Sequence, residues 1–424
     1  MTRDRPALPT ADVRMRGFAR RTTVEAALAW VDGHCRPLPP ERISVWQAAG
    51  RVLAADIVSR VDVPSFARSM MDGFALQAAD TLGATTYNRL EASIIGQSLP
   101  GKPFASVVRQ HQAVRIMTGA PLAAGCDSVL PAEQVEVDGQ RLFILDQVPP
   151  GKNVAQIGED VSAGGTAFSA ARVLRPQDVG LISSIGQADV EVVRQPNVRI
   201  VITGNELLPA GSQPAGPQIA DANGPILAAL VARDGGVAAF GPDPSTPPAQ
   251  YLVPDEPAAI LSAMQSDADI VLISGGSSVG QEDHAPLLLA EHGELAIHGI
   301  AMRPSSPTGM GRLGDRLVFL LPGNPVSCLC AYDFFAGRAI RLLGGRSPVW
   351  PYAKVRLPLA RKLVSQVGRV DYARVRILEN RVEPLAISGA SILSSTTIAD
   401  GFVIIPADSE GSRSSTDVDV FLYD

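Results

Sequence analysis

The sequence predicts a multidomain protein of α/β and β parts: a three-layer α/β domain, a β-rich insertion module and a C-terminal β-barrel-like domain. Three observations carry this expectation. From Asn197 onward, apolar runs of strand length alternate with segments of helical spacing, the rhythm of a mostly parallel sheet covered by helices. Between Val61 and Pro150 the chain instead shows short alternating runs broken at Gly101, Gly125 and Asp138-Gly139, which reads as all-β. After Gly344-Gly-Arg-Ser-Pro348, alternating runs return with no helical segment between them.

In chain order, residues 24–31 have helical apolar spacing, 34–40 break it, and Val45-Trp-Gln-Ala-Ala49 reads as a second helix running into Gly50. Short strands are expected at 114–117, 128–130, 135–137 and 142–145. Residues 151–193 return to the first module, with a helix at 176–185. The α/β domain then reads as strand 198–202, helices 224–233 and 258–264, strands 269–273 and 317–321, and one helix over 326–343. Barrel-like strands follow at 354–357, 373–377 and 401–405. The expected domains are a helical and extended linker module at 22–60 plus 151–193, the β-rich insertion at 61–150, the α/β domain at 194–345 and the C-terminal domain at 346–424.

Composition excludes several classes. With 424 residues, 46% hydrophobic and 19% charged, the chain can bury several cores and is long enough for about two to four domains. A formal charge of −6, from 37 basic and 43 acidic residues, gives no overall attraction to nucleic acid or an anionic membrane, so an anionic ligand needs a local site. Cys35, Cys126, Cys328 and Cys330 are too few for a disulfide framework, which points to a reducing cytoplasm. Cys328-Leu-Cys330 lacks metal-ligand spacing and the five histidines show no companion pattern, so both cysteines are expected to be buried on a helix. Residues 1–21 lack the apolar core of a signal peptide, and no apolar run approaches the roughly 18 residues of a membrane span.

Four Gly/Pro-rich signatures occur in a fixed order: Pro64-Ser-Phe-Ala-Arg-Ser-Met-Met-Asp72-Gly73-Phe-Ala75, Thr118-Gly-Ala-Pro121, Ser274-Gly-Gly-Ser-Ser-Val-Gly280 and Leu321-Pro-Gly-Asn-Pro-Val-Ser327. The third follows a buried strand, and its glycines let backbone amides approach a phosphate without Cβ interference. It is no Walker A loop, since no Lys follows, and alone it reads more readily as a tight turn. Asp283, three residues on, shifts the balance, because a carboxylate beside a phosphate cradle can hold Mg²⁺ against it. The fourth signature is a rigid βα connection in which Ser327 or Asn324 can cap exposed amides. Thr203-Gly-Asn-Glu206 ends the first strand of the same sheet, so Glu206 faces the same crevice or is simply a solvated loop acid. Asp72-Gly73 also favours an Asx turn.

Together with Gly158-Glu-Asp160, these motifs resemble the molybdopterin molybdenumtransferase family (MoeA and the gephyrin E domain) from about Thr22 to the C-terminus. The resemblance implies a molybdopterin-binding α/β domain and a role in molybdenum cofactor biosynthesis: inserting molybdate into adenylyl-molybdopterin with release of AMP. It implies Asp72, Thr118, Glu206 and Asp283 as catalytic residues, with Glu206 and Asp283 also holding Mg²⁺. It further implies that Ser274, Gly275, Gly276, Ser277, Gly280, Arg303, Pro322, Gly323, Asn324, Ser327 and Asp160 line the substrate site. The implied partners are adenylyl-molybdopterin, molybdate, a second copy of the chain in a homodimer, a molybdopterin adenylyltransferase and acceptor molybdoenzymes.

Both substrates are anions, so Mg²⁺ and basic groups are needed beside the carboxylates. Here the chain departs from its relatives. Ala155-Gln-Ile157 stands where the family has an arginine-rich run, Arg303-Pro-Ser-Ser-Pro307 where it has Lys-Pro-Gly-Lys-Pro, and Asn205 where it has Asp. The acidic pair expected after the second strand of the α/β domain is sought in Pro242-Asp-Pro-Ser-Thr-Pro247, leaving one carboxylate missing. Arg68 and Arg303 are candidate replacement cations, whereas Arg369 and Arg374 fit a solvated strand face as well as a site. The sequence thus leaves two readings, an active transferase and an impaired paralogue that binds molybdopterin or a related ligand as carrier, scaffold or regulator. A nucleotide hydrolase sharing only the α/β domain leaves the Met-Asp-Gly module and the C-terminal domain unexplained.

Overall fold

The structure is a computed structural model and describes residues 21–240, 251–276, 283–386 and 389–423. Arg42–Val192 forms one compact unit, and the described residues on either side of it form the other.

Within Arg42–Val192, six strands lie in the order Ser128–Pro131, Gly73–Leu76, Gln112–Ile116, Leu90–Ser98, Arg141–Ile144, Val135–Asp138. All neighbours are antiparallel except Gln112–Ile116 with Leu90–Ser98. Phe74, Leu76, Ala92, Ala113, Leu130, Leu142 and Ile144 form its core. Gly73 opens a strand rather than an Asx turn. A Cβ there would lie 2.1 Å from the Leu130 carbonyl oxygen, so only glycine permits this strand pairing.

A second core of Val45, Leu53, Ile57, Phe168, Ile182 and Val192 gathers around the helix Pro176–Ser184. That helix has Pro176 in its first turn and Asp178 held by Arg172 and Arg175. The second helix expected near Val45 is only a three-residue 3₁₀ turn, Val45–Gln47. Trp46 is 91% exposed there, and Gly50 turns the chain at φ 79°, so no apolar face sustains a longer helix.

The other unit is built on a seven-stranded sheet: β1 (Asn197–Thr203), β2 (Val237–Phe240), β3 (Leu252–Val253), β4 (Ile270–Ser274), β5 (Glu294–His298), β6 (Gly309–Leu313) and β7 (Arg316–Leu321). The order is β2-β1-β4-β7-β6-β5, with β2, β1, β4 and β7 parallel and β6 and β5 antiparallel. β3 also pairs with β1, just beyond β2: Ile200 faces Phe240, while Ile202 and Thr203 face Leu252 and Val253. The two pair along the same edge of β1.

Alternate side chains of the parallel strands enter different cores, as a sheet covered on both faces requires. Val198, Ile200, Ile202, Leu272 and Phe319 pack with the helices α1 (Asn223–Asp234), Val24–His34 and Pro325–Ala331. Val201, Val271, Ile273, Val318 and Leu320 pack under Pro257–Met264 and Ala285–His292. This is the expected three-layer arrangement.

The helix expected over 326–343 is interrupted by a π-helical segment, Tyr332–Ala336. All five of its residues are buried and Asp333 accepts from Arg233 and Tyr352, so tertiary bonding overrides the α-helical register. The C-terminal sheet, including Lys354–Pro358, Val370–Leu378, Arg381–Ala386, Gly401–Ile405 and Asp417–Leu422, closes against these helices through Phe402, which is ringed by Trp350, Tyr352, Tyr372, Phe421 and Tyr423. Arg374 is fully buried and Arg369 donates to the buried Asp371, so neither arginine belongs to a solvated face. All four cysteines are free, Cys328 and Cys330 are buried on the helix Pro325–Ala331, and no described helix is long and apolar enough to cross a membrane.

Candidate functional site

The chain leaves β1 toward β2 on one side and returns through β3 to β4 on the other. β1 and β4 therefore flank the point where the strand order reverses, where an open parallel sheet forms a crevice beyond its C-terminal ends. The residues at those ends are Thr203-Gly204 after β1, Pro254-Asp255 after β3, Gly275-Gly276 after β4 and Pro322-Gly323 after β7.

These loops approach closely. A Cβ on Gly275 would lie 2.0 Å from the Thr203 carbonyl oxygen, and Gly275 has φ 102°, so sterics and backbone both demand glycine. A Cβ on Gly323 would have the Gly275 Cα as its nearest neighbour, at 3.8 Å, which puts the two glycine loops side by side. Thr203 Oγ1 donates to Asp255 Oδ1 at 3.2 Å, and that oxygen would lie 3.4 Å from a Cβ on Gly276. Asp255 thus supplies a carboxylate at the sheet end. Because β3 pairs along the same edge of β1 as the second strand, Asp255-Glu256 is the acidic pair that follows it, and Pro242-Asp-Pro-Ser-Thr-Pro247 lies outside the described residues.

Glu206 is exposed two residues after Gly204, in a connection whose Leu207–Leu208 pairs in parallel with Ile219–Ala220. Asp283 is half-buried just before the helix Ala285–His292, while Ser277 and Gly280 lie outside the described residues. Ser274 is buried, Gly276 borders Thr203 and Asp255, and Pro322 is buried ahead of exposed Gly323 and Asn324. Asn324 sits at the helix N-cap without a side-chain cap bond. The buried Ser327 receives the Ser305 hydroxyl at its carbonyl oxygen, at 2.5 Å. Ser305 has a glycine-like φ of 86° and offsets part of that strain with this bond. Half-buried Arg303 lies in a strand paired in parallel with Val370 and Asp371.

The other expected acids lie in Arg42–Val192. Asp72 Oδ1 accepts from the Thr118 amide at 2.7 Å and from its hydroxyl at 2.8 Å. Those bonds, the amide's first, hold the exposed Asp72 carboxyl below its usual pKa. Asp160 is exposed, and its amide donates to Val63 at 2.9 Å. Ala155 pairs directly with Arg68 across an antiparallel ladder, so the exposed Arg68 leaves the ribbon on the face that a side chain at 155 would share.

Three family models match in order: the MoeA N-terminal region (domain I and II) over residues 22–186, a probable molybdopterin binding domain over 199–341, and the MoeA C-terminal region (domain IV) over 356–423. The chain belongs to the MoeA family. It is 31% identical over 379 residues to the molybdopterin molybdenumtransferase of Haemophilus influenzae, covering 87% of this chain and 90% of that protein. It is also 31% identical over 388 residues to molybdopterin molybdenumtransferase 2 of Mycobacterium tuberculosis, covering 88% and 92%. The crystal structure of a molybdopterin biosynthesis MoeA protein from Pyrococcus horikoshii matches with a TM-score of 0.78 and 29% identity, over 95% of this chain and 99% of that one. Membership in the MoeA family makes this a transferase of molybdenum cofactor biosynthesis.

Besides Asp255, three residues at the MoeA sheet end escaped the sequence reading. Asn223, at the start of α1, donates from Nδ2 to Ser274 Oγ and to the Gly323 carbonyl, both at 2.8 Å. Asp221 accepts from the amides of Asn223 and Gly224 and from the Tyr251 hydroxyl. Burial, with the Asp221 bond second, pushes the Tyr251 pKa up. The only sequence signal was a short apolar Tyr251-Leu-Val253 before Pro-Asp-Glu-Pro.

Proposed function

We propose that this protein inserts molybdate into adenylyl-molybdopterin and releases AMP, acting as a homodimer with Mg²⁺. The observation that carries this reading is the convergence of Thr203, Asp255, Gly275 and Gly323 at the strand-order reversal, which supplies phosphate-facing backbone beside a carboxylate. Asp72, kept ionised by Thr118, and Glu206 are the exposed acids assigned to the reaction.

Among the described residues no three His, Cys, Asp or Glu side chains converge into a cage. Mg²⁺ is commonly held by one or two carboxylates plus substrate phosphates and water. Glu206 and Asp283 are the residues that would hold it, with substrate phosphates and water completing its shell. When bound, it would neutralise charge on the phosphates of the leaving AMP. The chain's own residues orient the phosphates through the amides at Gly275, Gly276 and Gly323, and Arg303 or Arg68 provides a cation for the oxyanion.

The carrier reading has one observation in its favour: Ala155 is buried and Gln156 is uncharged where the family places arginines. Molybdate-dependent AMP release from adenylyl-molybdopterin, against tight binding without turnover, separates the two. Light scattering at micromolar concentration tests the dimer, and a fully active monomer would remove it from the proposal.

A further inference from the structure

We propose that Tyr251 is a positioning residue that joins the three loops at the sheet end into one mechanical unit, acting through Asp221 and Asn223. This rests on the reading that those loops hold the substrate. The chain of bonds is continuous. The Ala210 amide donates to the Tyr251 hydroxyl oxygen at 3.1 Å, and that hydroxyl donates to Asp221 Oδ2. Asp221 Oδ1 accepts from the Asn223 amide at 2.8 Å, and both its oxygens take the Gly224 amide at 3.1 Å. Asn223 Nδ2 then reaches Ser274 Oγ and the Gly323 carbonyl. The Gly323 oxygen can only accept, so it fixes which end of the Asn223 amide faces the loops.

The relay therefore begins in the connection that carries Glu206, crosses the start of α1 and ends at the last residue of β4, which leads into Gly275, and in the loop after β7. Asp221, Asn223 and Tyr251 are all buried, at 6%, 7% and 6% exposure, so water does not compete for their bonds. Gly224 has no room for a Cβ, which would lie 2.4 Å from Asp221 Oδ2, so the helix start is seated on that carboxylate. Asn223 Oδ1 is buried without a hydrogen-bond partner, an arrangement that structural core residues seldom keep. The Tyr251 ring packs edge-on against Phe240, with centroids 5.4 Å apart, and a phenylalanine would retain that packing while removing the hydroxyl.

The test is Tyr251→Phe in the full chain, read by hydrogen exchange and by steady-state kinetics. Exchange should rise by about tenfold, the loss of one charge-assisted hydrogen bond, both in peptides from 204–222 and in peptides from 321–330, to which neither bond of the Tyr251 hydroxyl runs. AMP release should show a comparable fall in kcat with a smaller change in KM. Asn223→Ala should raise exchange at 321–330 as much as Tyr251→Phe does, and the double variant should add little to either. Faster exchange confined to 204–222, or none, would overturn the relay. A wild-type protein that releases no AMP would sink the functional reading while the exchange result still decides the relay.

Discussion

Asp72 and Asp221 are both aspartates that hold the amides of a neighbouring turn, yet they are used differently. Asp221 is 6% exposed, and both of its oxygens are taken by α1 amides and the Tyr251 hydroxyl. Asp72 is exposed, receives only Thr118, and takes both of those bonds on one oxygen, leaving Oδ2 without a partner among the described residues. The buried acid is committed to architecture, whereas the exposed one keeps an oxygen open for the role proposed for it. The same contrast separates Gly275 from Gly276: the first is walled in by the Thr203 carbonyl, while the second meets nothing closer than the tip of Asp255.

The largest expected effect breaks the architectural side. Gly275→Val sets a side chain against backbone in a left-handed conformation and should cost about 3 kcal/mol or more in denaturant unfolding. Gly276→Ala carries only the conformational cost, about 1–2 kcal/mol, and should lose pterin-ligand affinity out of proportion to that. Equal stability losses in the two variants would erase the distinction.

Next is the cation at the exposed site. If Arg68 stands in for a charge absent at Ala155, Arg68→Asn should raise the molybdate needed for half-maximal turnover about tenfold while leaving the melting temperature unchanged. An unchanged molybdate requirement would remove Arg68 from the site.

The smallest effect sharpens the comparison at Asp72 itself. Thr118→Val should return the Asp72 carboxyl toward its ordinary pKa, measurable by carboxyl-carbon NMR titration. Folding lowers this pKa, so the Thr118 bonds favour the folded state above the ordinary carboxylate pKa, and that contribution is lost as the pH falls through the lower folded value. A titration midpoint identical in wild type and variant would show that the Thr118 hydroxyl does not tune Asp72.

The parallel strands were legible because β1, β4 and β7 are nearly continuous apolar runs, as burial on both faces requires. Leu90–Ser98 was not, since its exposed and buried positions follow no two-residue period and its register shifts between Ile94 and Gly96. Asp255 went unread because nothing in the sequence between β2 and β3 reveals that pairing with β1 resumes at Leu252; only the ladder with Ile202 and Thr203 does. Motif acids such as Asp72 could be read from local sequence. Asn223 and Tyr251 could not, because their partners lie 51 and 30 residues away at Ser274 and Asp221.

The most direct measurement of the central claim is AMP release from adenylyl-molybdopterin by the purified protein, with and without molybdate, in wild type and Asp72→Asn. The account predicts molybdate-dependent turnover in the wild type, and in the variant a loss of about tenfold or more with ligand binding retained. Tight binding of adenylyl-molybdopterin with no AMP released at any molybdate concentration would contradict it.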